Sequence, residues 1–497
     1  MNRDQSLQAV NQKDRWDVLV IGGGATGLGA AVDAASRGYR TLLLEQHDFA
    51  KGTSSRSTKL IHGGVRYLKQ GNVSLVRESL RERAILLRNA PHLTRKQTFI
   101  IPAYARGDRL FYGVGLKLYD ALAGKLCLSP SRTISREETL RALPTIQQHR
   151  LRGGVQYFDG QFDDARLAIC LAQTLHDLGG FALNYFRVDQ FLKQNGKITG
   201  VVAHDLERGV EFKVLARVVI NATGVFTESV RRLDDAQAET LITPSQGSHI
   251  IVERSFLPGD SALMIPKTND GRVLFAIPWY DRVVIGTTDS PVKTASLEPR
   301  PLAREIGFLL EHAATYFARP PSEQDIISAY AGLRPLVKSN TENTARLSRD
   351  HAMVISSAGL VTITGGKWTT YRKMGEEVVT RAVEVANLEP RISGTYDLRL
   401  RGAETENIFG IHEQGGAADP NSLSGERIVR FVHEEMARTV EDVLARRTRM
   451  LVLNPRAAME AAPMVASGLA GALDRDVVWE KIQIDSFRKL AQGYIWK

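Results

Sequence analysis

Cysteine is nearly missing. Cys127 and Cys170 are the only two in 497 residues, so there is no disulfide framework, no CxxC pair and no zinc-ligand spacing. That usage fits a reducing compartment, and no metal centre is expected. No apolar run reaches the ~18 residues of a membrane-spanning helix. The opening stretch MNRDQSLQAVNQKDRWD has no apolar core of the signal-peptide kind, which leads to the expectation of a cytoplasmic chain, free or seated on a membrane from that side. Residues 1–16 are polar and are expected to be mobile. Dense Lys/Arg blocks are also missing, and aromatics make up only 7% of the chain. No basic stripe interleaved with aromatics is present, which argues against nucleic acid as a partner.

What is there is ordinary for a folded protein: 43% hydrophobic and 24% charged residues, with length for about three domains. Lys plus Arg outnumber Asp plus Glu by 65 to 55, a net charge of +10. A basic balance suits an anionic substrate or an anionic surface.

The most informative stretch is residues 17–45, DVLVIGGGATGLGAAVDAASRGYRTLLLE. An apolar run ends at Gly22. Gly22, Gly24 and Gly27 follow in GxGxxG spacing, then small apolar residues at helical spacing, then a second apolar run closing on Glu45. This reads as strand, glycine turn, helix, strand. Gly22 permits the tight turn, Gly24 the approach of a pyrophosphate, and Gly27 close packing of helix on strand. Glu45 stands where a carboxylate accepts ribose hydroxyls. The unit indicates a dinucleotide without choosing between NAD and FAD.

Residues 49–70, FAKGTSSRSTKLIHGGVRYLKQ, crowd hydroxyls before a glycine pair. They suit either a phosphate-wrapping loop or a Ser/Thr-rich cap on the next helix. Residues 73–90 have the period of an amphipathic helix ended by Pro91. Residues 97–103 read as a strand. Residues 111–123 read as a helix whose aromatics (Phe111, Tyr112, Tyr119) fit core packing better than a membrane-facing role. Residues 155–180 are strand, turn and helix, capped by Asp163 or Asp164. Beyond them, turn signals at Asn195-Gly196 and Arg208-Gly209 separate strands. The strand VVINATG ends in a small-residue turn at Ala222 and Gly224, an order that favours a flavin. Residues 245–290 alternate as antiparallel strands. Residues 426–453 read as one long helix or two, with two more helices near 456–473 and 475–493. Within them, ARRTRM is a candidate for an anionic membrane surface, though a solvated face is the simpler reading.

The run TSSRSTKLIHGGVRYL, following GGGATG, resembles the FAD-dependent glycerol-3-phosphate dehydrogenases, a branch of the flavin oxidoreductases of the D-amino-acid-oxidase type. The motifs GSHIIV, IPW…IGTTD, AYAGLRPL (329–336) and VTITGGKWTTYRKMGEEVV (361–379) carry the same resemblance.

The resemblance implies an α/β (α+β overall) fold: a discontinuous FAD-binding domain (16–90, 151–240, 345–385), an antiparallel-sheet substrate domain (91–150, 241–344) and a C-terminal helical domain (386–497). The implied FAD contacts are Gly22, Gly24, Gly27, Glu45, Thr53, Ser54, Ser55, Lys59, His62, Gly63, Gly64, Ala222, Gly224, Gly366, Lys367 and Thr369. The implied substrate is sn-glycerol 3-phosphate, held by Arg66, Tyr67, Arg334 and Lys367. Its phosphate wants clustered cations. His249, Arg334 and Lys367 are the catalytic candidates. His249 is preferred as base, with His62 and Lys367 as rivals.

The implied acceptor is a membrane quinone, with the enzyme peripheral on the cytoplasmic face of the inner membrane. A glycerol-3-phosphate oxidase using O2 and a flavin oxidase of amino or hydroxy acids are the alternatives. A homodimer is left open.

Overall fold

The computed structural model describes residues 1–12, 15–68, 71–269, 271–338, 351–409 and 423–497. The expected start of the third FAD segment, at 345, and the side chains of Arg66 and Tyr67 lie outside the described residues.

The chain is mixed α/β, with a helical C-terminal part. Two sheets organise it. In the first, Trp16–Ile21 lies between Val210–Asn221 and Thr41–Leu44, all parallel. Val361–Gly365 adds beyond Val210–Asn221, and Phe181–Leu183 beyond Thr41–Leu44. Parallel strands require coverage on both faces, and Val18, Leu19 and Val20 are accordingly all fully buried. One face carries helices Ala25–Ser36, Asp164–Asp177 and Tyr371–Val385. The first and last of these touch backbone to backbone: a Cβ at Gly375 would stand 2.6 Å from the Gly29 carbonyl. The other face is covered by the antiparallel strands Phe186–Gln194 and Lys197–Asp205.

Among the described residues the second sheet has ten strands. Near one end of it, Ile242–Glu253 is antiparallel to both Ser328–Val337 and Arg282–Gly286. Residues Gly154–Phe162 pair with Thr94–Pro102 in this sheet. That strand belongs to the second sheet, although the FAD-binding segment is expected to begin at residue 151. The helix Asp164–Asp177 returns the chain to the first sheet, capped by Asp163, whose carboxylate accepts the Arg166 N–H.

Three expectations are corrected. Residues Arg3–Gln12 form a helix. Its Arg3 is buried and bonds Asn184 and Asp205, so this part of the opening is anchored. Helix Asp108–Ala123 buries Leu116, Tyr119 and Ala123 but leaves Leu110, Phe111, Val114 and Leu118 at 73%, 60%, 63% and 52% exposure, so core packing accounts for only one of its faces. The basic run ARRTRM faces neither water nor lipid: Arg446, Arg447 and Arg449 are buried in ion pairs with Asp48, Asp442 and Asp163. The helical stretch containing it breaks into Gly425–Glu435, a π-helical turn Asp442–Arg447 and Met450–Leu453. The breaks fall beside Met436 and Arg449, both at positive φ. Among the described residues no helix is long and apolar enough to cross a membrane.

Candidate active site

A cleft of about 560 Å³ runs between the two sheets. Its floor is the glycine turn. Gly22 has φ +111°, and a Cβ at Gly27 would stand 1.8 Å from the Gly22 carbonyl oxygen. Both positions therefore demand glycine. The helix starting at Ala25 points its N-terminal N–H groups into the cleft, where positive potential favours phosphate. One of these groups, Ala25 N–H, is bound by Ser54 Oγ at 2.9 Å.

Glu45 closes the second strand. Its carboxylate accepts Gly23 N–H at 2.6 Å and His47 N–H at 2.8 Å. Burial raises its pKa, and the two N–H donors oppose that rise. Each oxygen keeps a lone pair for a further donor. The wall beside it is mostly apolar, formed by Phe186, Val188, Phe226, Val230 and Leu233, as suits a flat heteroaromatic ring.

The opposite sheet contributes His249 and Arg334. His249 is 2% exposed, stacked on Tyr330 with ring centroids 4.7 Å apart. Its Nε2 meets Thr58 Oγ1 at 2.9 Å. Gly286 makes room for it, since a Cβ there would press to 2.2 Å from the imidazole ring. Desolvation first, then the charges of Arg334 and Lys59, drive its pKa well below the ordinary histidine value, leaving it neutral at physiological pH. Arg334 is held by the Thr288 carbonyl at 3.1 Å, Thr287 Oγ1 at 2.9 Å and Asp289 Oδ1 at 3.5 Å. Lys367 closes this end, at the residue before the turn Trp368–Thr370 and helix Tyr371–Val385. Trp368 Nε1 donates to the Ser54 carbonyl at 2.8 Å, tying this third glycine turn to the hydroxyl loop.

The structure thus brings Gly22, Gly24, Glu45, Thr53, Ser54, His62, Ala222, Gly224, His249, Arg334, Gly366, Lys367 and Thr369 to one cleft. Gly27 lies behind it. Ser55, Gly63 and Gly64 do not line it. Lys59 does not line the cleft: its side chain is 1% exposed, paired with Asp164 at 2.7 Å and bonded to the Ser55 carbonyl. It secures the loop from behind. Thr58 and Thr287–Asp289 hold His249 and Arg334 in place from within the TSSRSTKL and IGTTD motifs; their signal is that contact, which spacing does not reveal.

The profile of the family described as FAD dependent oxidoreductase matches residues 17–372, and that of the C-terminal domain of alpha-glycerophosphate oxidase matches residues 394–478. The chain is 38% identical to human mitochondrial glycerol-3-phosphate dehydrogenase over 98% of its own length and 75% of that protein's. This chain belongs to the FAD-dependent glycerol-3-phosphate dehydrogenase family. The glycerol-3-phosphate dehydrogenase of Bacillus halodurans, solved with FAD, superposes with a TM-score of 0.80 at 27% identity, covering 99% of this chain and 97% of that one. L-α-glycerophosphate oxidase of Mycoplasma pneumoniae, also with FAD, shares the fold (TM-score 0.60, 17% identity, 78% and 98% coverage). FAD is therefore the cofactor, and the residues present fit it: a pyrophosphate-sized glycine turn at a helix N-terminus, a carboxylate for ribose and an apolar wall for adenine.

Proposed function

We propose that this chain oxidises sn-glycerol 3-phosphate at C2 to dihydroxyacetone phosphate and passes the electrons to a membrane quinone. The observation that carries this reading is the convergence of His249, Arg334 and Lys367 on the cleft that holds the FAD-binding turn. When bound, FAD would supply the two-electron acceptor for the oxidation at C2. Arg334 and Lys367, with Arg66 as third cation, hold the phosphate dianion. Arg334 is already fixed by Asp289 and Thr287, so little of its rotamer freedom is left to lose on binding. His249 takes the hydroxyl proton as the C2 carbonyl forms. It is neutral and therefore able to accept a proton. The dianion beside Arg334 offsets one of the cations that depress its pKa, strengthening the base when substrate is present.

Peripheral membrane contact is supported by helix Asp108–Ala123, whose exposed Leu110, Phe111, Val114 and Leu118 lie among Arg106, Arg109, Lys117 and Lys125. Such a face suits an anionic lipid surface.

The test is anaerobic. Adding sn-glycerol 3-phosphate to the purified holoenzyme is expected to bleach the flavin band at ~450 nm. A short-chain quinone is then expected to restore it faster than oxygen. Bleaching by 2-hydroxy acids or amines but not by glycerol 3-phosphate sinks the substrate assignment. Faster recovery with oxygen sinks the quinone.

A further inference from the structure

The loop joining Glu45 to Ser55 is bonded to the glycine turn near both ends: Glu45 accepts Gly23 N–H, and Ser54 accepts Ala25 N–H. Between them, Ala50 N–H donates to the Gly23 carbonyl at 2.9 Å. Nearly all of this loop faces the cleft. Asp48, Phe49 and Ser55 are the exceptions. Asp48 turns away, fully buried, toward the C-terminal helical domain. There it meets two guanidinium groups from the π-helical turn Asp442–Arg447. Arg446 donates through Nε, and Arg447 through both terminal nitrogens, one of them at 3.0 Å. Asn184 Nδ2 adds a contact at 3.3 Å.

The pair is itself fixed from behind. Arg446 binds Glu441 at 2.8 Å and Asp442 at 2.7 Å, and Tyr185 donates to Asp442 at 2.7 Å. Three residues along the loop, Lys51 reaches Glu441 at 2.5 Å. Arg446 and Arg447 are 2% and 0% exposed as side chains, and Asp48 is 0% exposed. The desolvated charges hold one another in a single geometry.

We propose that the C-terminal helical domain braces the FAD-binding loop, with Asp48, Arg446 and Arg447 acting as positioning residues for the cofactor. None of the three is needed at the cleft wall for chemistry. They fix the middle of a loop whose ends present Glu45 to the ribose and Ser54 to the phosphate side. Releasing Asp48 loosens the middle of the loop and with it the placement of Glu45 and Ser54, so FAD binding weakens while bound flavin reacts unchanged. The proposal rests on the FAD assignment and not on the substrate. Failure to oxidise glycerol 3-phosphate leaves it standing.

The test titrates FAD-stripped protein with FAD, following flavin fluorescence, alongside the melting temperature of the apoprotein. Arg446→Met is expected to raise the FAD Kd by about tenfold or more and to speed FAD release, with Arg446→Lys intermediate because the charge remains. Arg438→Gln is the control. It breaks the Arg438–Glu207 pair at 2.8 Å, another link between this domain and the nucleotide unit, one that does not touch the loop. It is expected to lower the melting temperature and leave the FAD Kd unchanged. An Arg446→Met Kd within about twofold of wild type, or an equal rise in Arg438→Gln, overturns the proposal. If Arg446→Met does not fold, Arg446→Lys decides: a raised Kd supports the brace, and a wild-type Kd rejects it.

Discussion

At His249, geometry and proton affinity pull in different directions. Burial against Tyr330 and Gly286 fixes the ring where a base is wanted, yet the same burial and the Arg334 charge lower its affinity for a proton. Loss of activity in acid therefore belongs below the ordinary histidine value of about 6.5 in kcat/KM, which reports the free enzyme. In kcat, which reports the complex, the limb belongs at higher pH, because the bound phosphate shields Arg334 from the imidazole. His249→Asn is expected to cost roughly 10²- to 10⁴-fold in kcat and to remove the acid limb, with the flavin spectrum unchanged. Rates measured from pH 5 to 9 at saturating acceptor check this. An unaltered acid limb in the variant would assign the base elsewhere, with Lys367 and His62 next in the same cleft.

Helix Asp108–Ala123 shows what a pattern of spacing leaves undecided. Its apolar residues fall on two faces. Leu116, Tyr119 and Ala123 pack inward, while Leu110, Phe111, Val114 and Leu118 face out. Both sets have helical spacing, so the period identifies the helix and leaves the buried face unassigned. The outer face makes a direct prediction. Burying a Phe or Leu side chain is worth about 1.5–3 kcal/mol, so the double variant Phe111→Glu/Leu118→Glu is expected to weaken binding to anionic vesicles by roughly 10²-fold or more. Its melting temperature is expected to stay near wild type, since neither side chain supports the core. Co-sedimentation with phosphatidylserine vesicles measures this, and equal binding by both proteins excludes the face. The glycine turn was legible for the opposite reason: Gly22, Gly24, Gly27 and Glu45 form one local unit whose partners lie within 30 residues. The fate of ARRTRM was not legible, because Asp48 and Asp163 reach Arg446, Arg447 and Arg449 from hundreds of positions away. The helix at Arg3–Gln12 was hidden likewise: its anchors, Asn184 in the bend after Phe181–Leu183 and Asp205 at the end of Lys197–Asp205, lie far along the chain.

Across the whole molecule, the buried titratable groups set an acid response in two stages. His47 and His92 have their pKa values lowered to about 4, in both cases mainly by desolvation. The unfolded chain takes up these protons at about pH 6.5, so below that pH protonation favours unfolding, and stability falls until about pH 4. The carboxylates that join the domains act lower. Burial works against the charged form of Glu441, but Arg446 and Lys51 outweigh it and bring its pKa to about 2. Asp48 is likewise held low by Arg447 and Arg446 against its desolvation. Stability from these groups is complete above the unfolded carboxylate value of about 4.3 and is lost as pH falls toward 2. The net charge of +10 at neutral pH grows more positive through both stages, so self-repulsion adds to each. The melting temperature of the holoenzyme is expected to be level from pH 8 to about 6.5, to decline gently to about 4.5, and to drop steeply below that. His92→Gln, which removes one of the neutral buried imidazoles, is expected to flatten the upper stage and leave the lower one intact. An unchanged slope between pH 6.5 and 4.5 in that variant would mean that the upper stage does not come from His92, and would leave the other buried imidazoles, His47 and His249, to account for it.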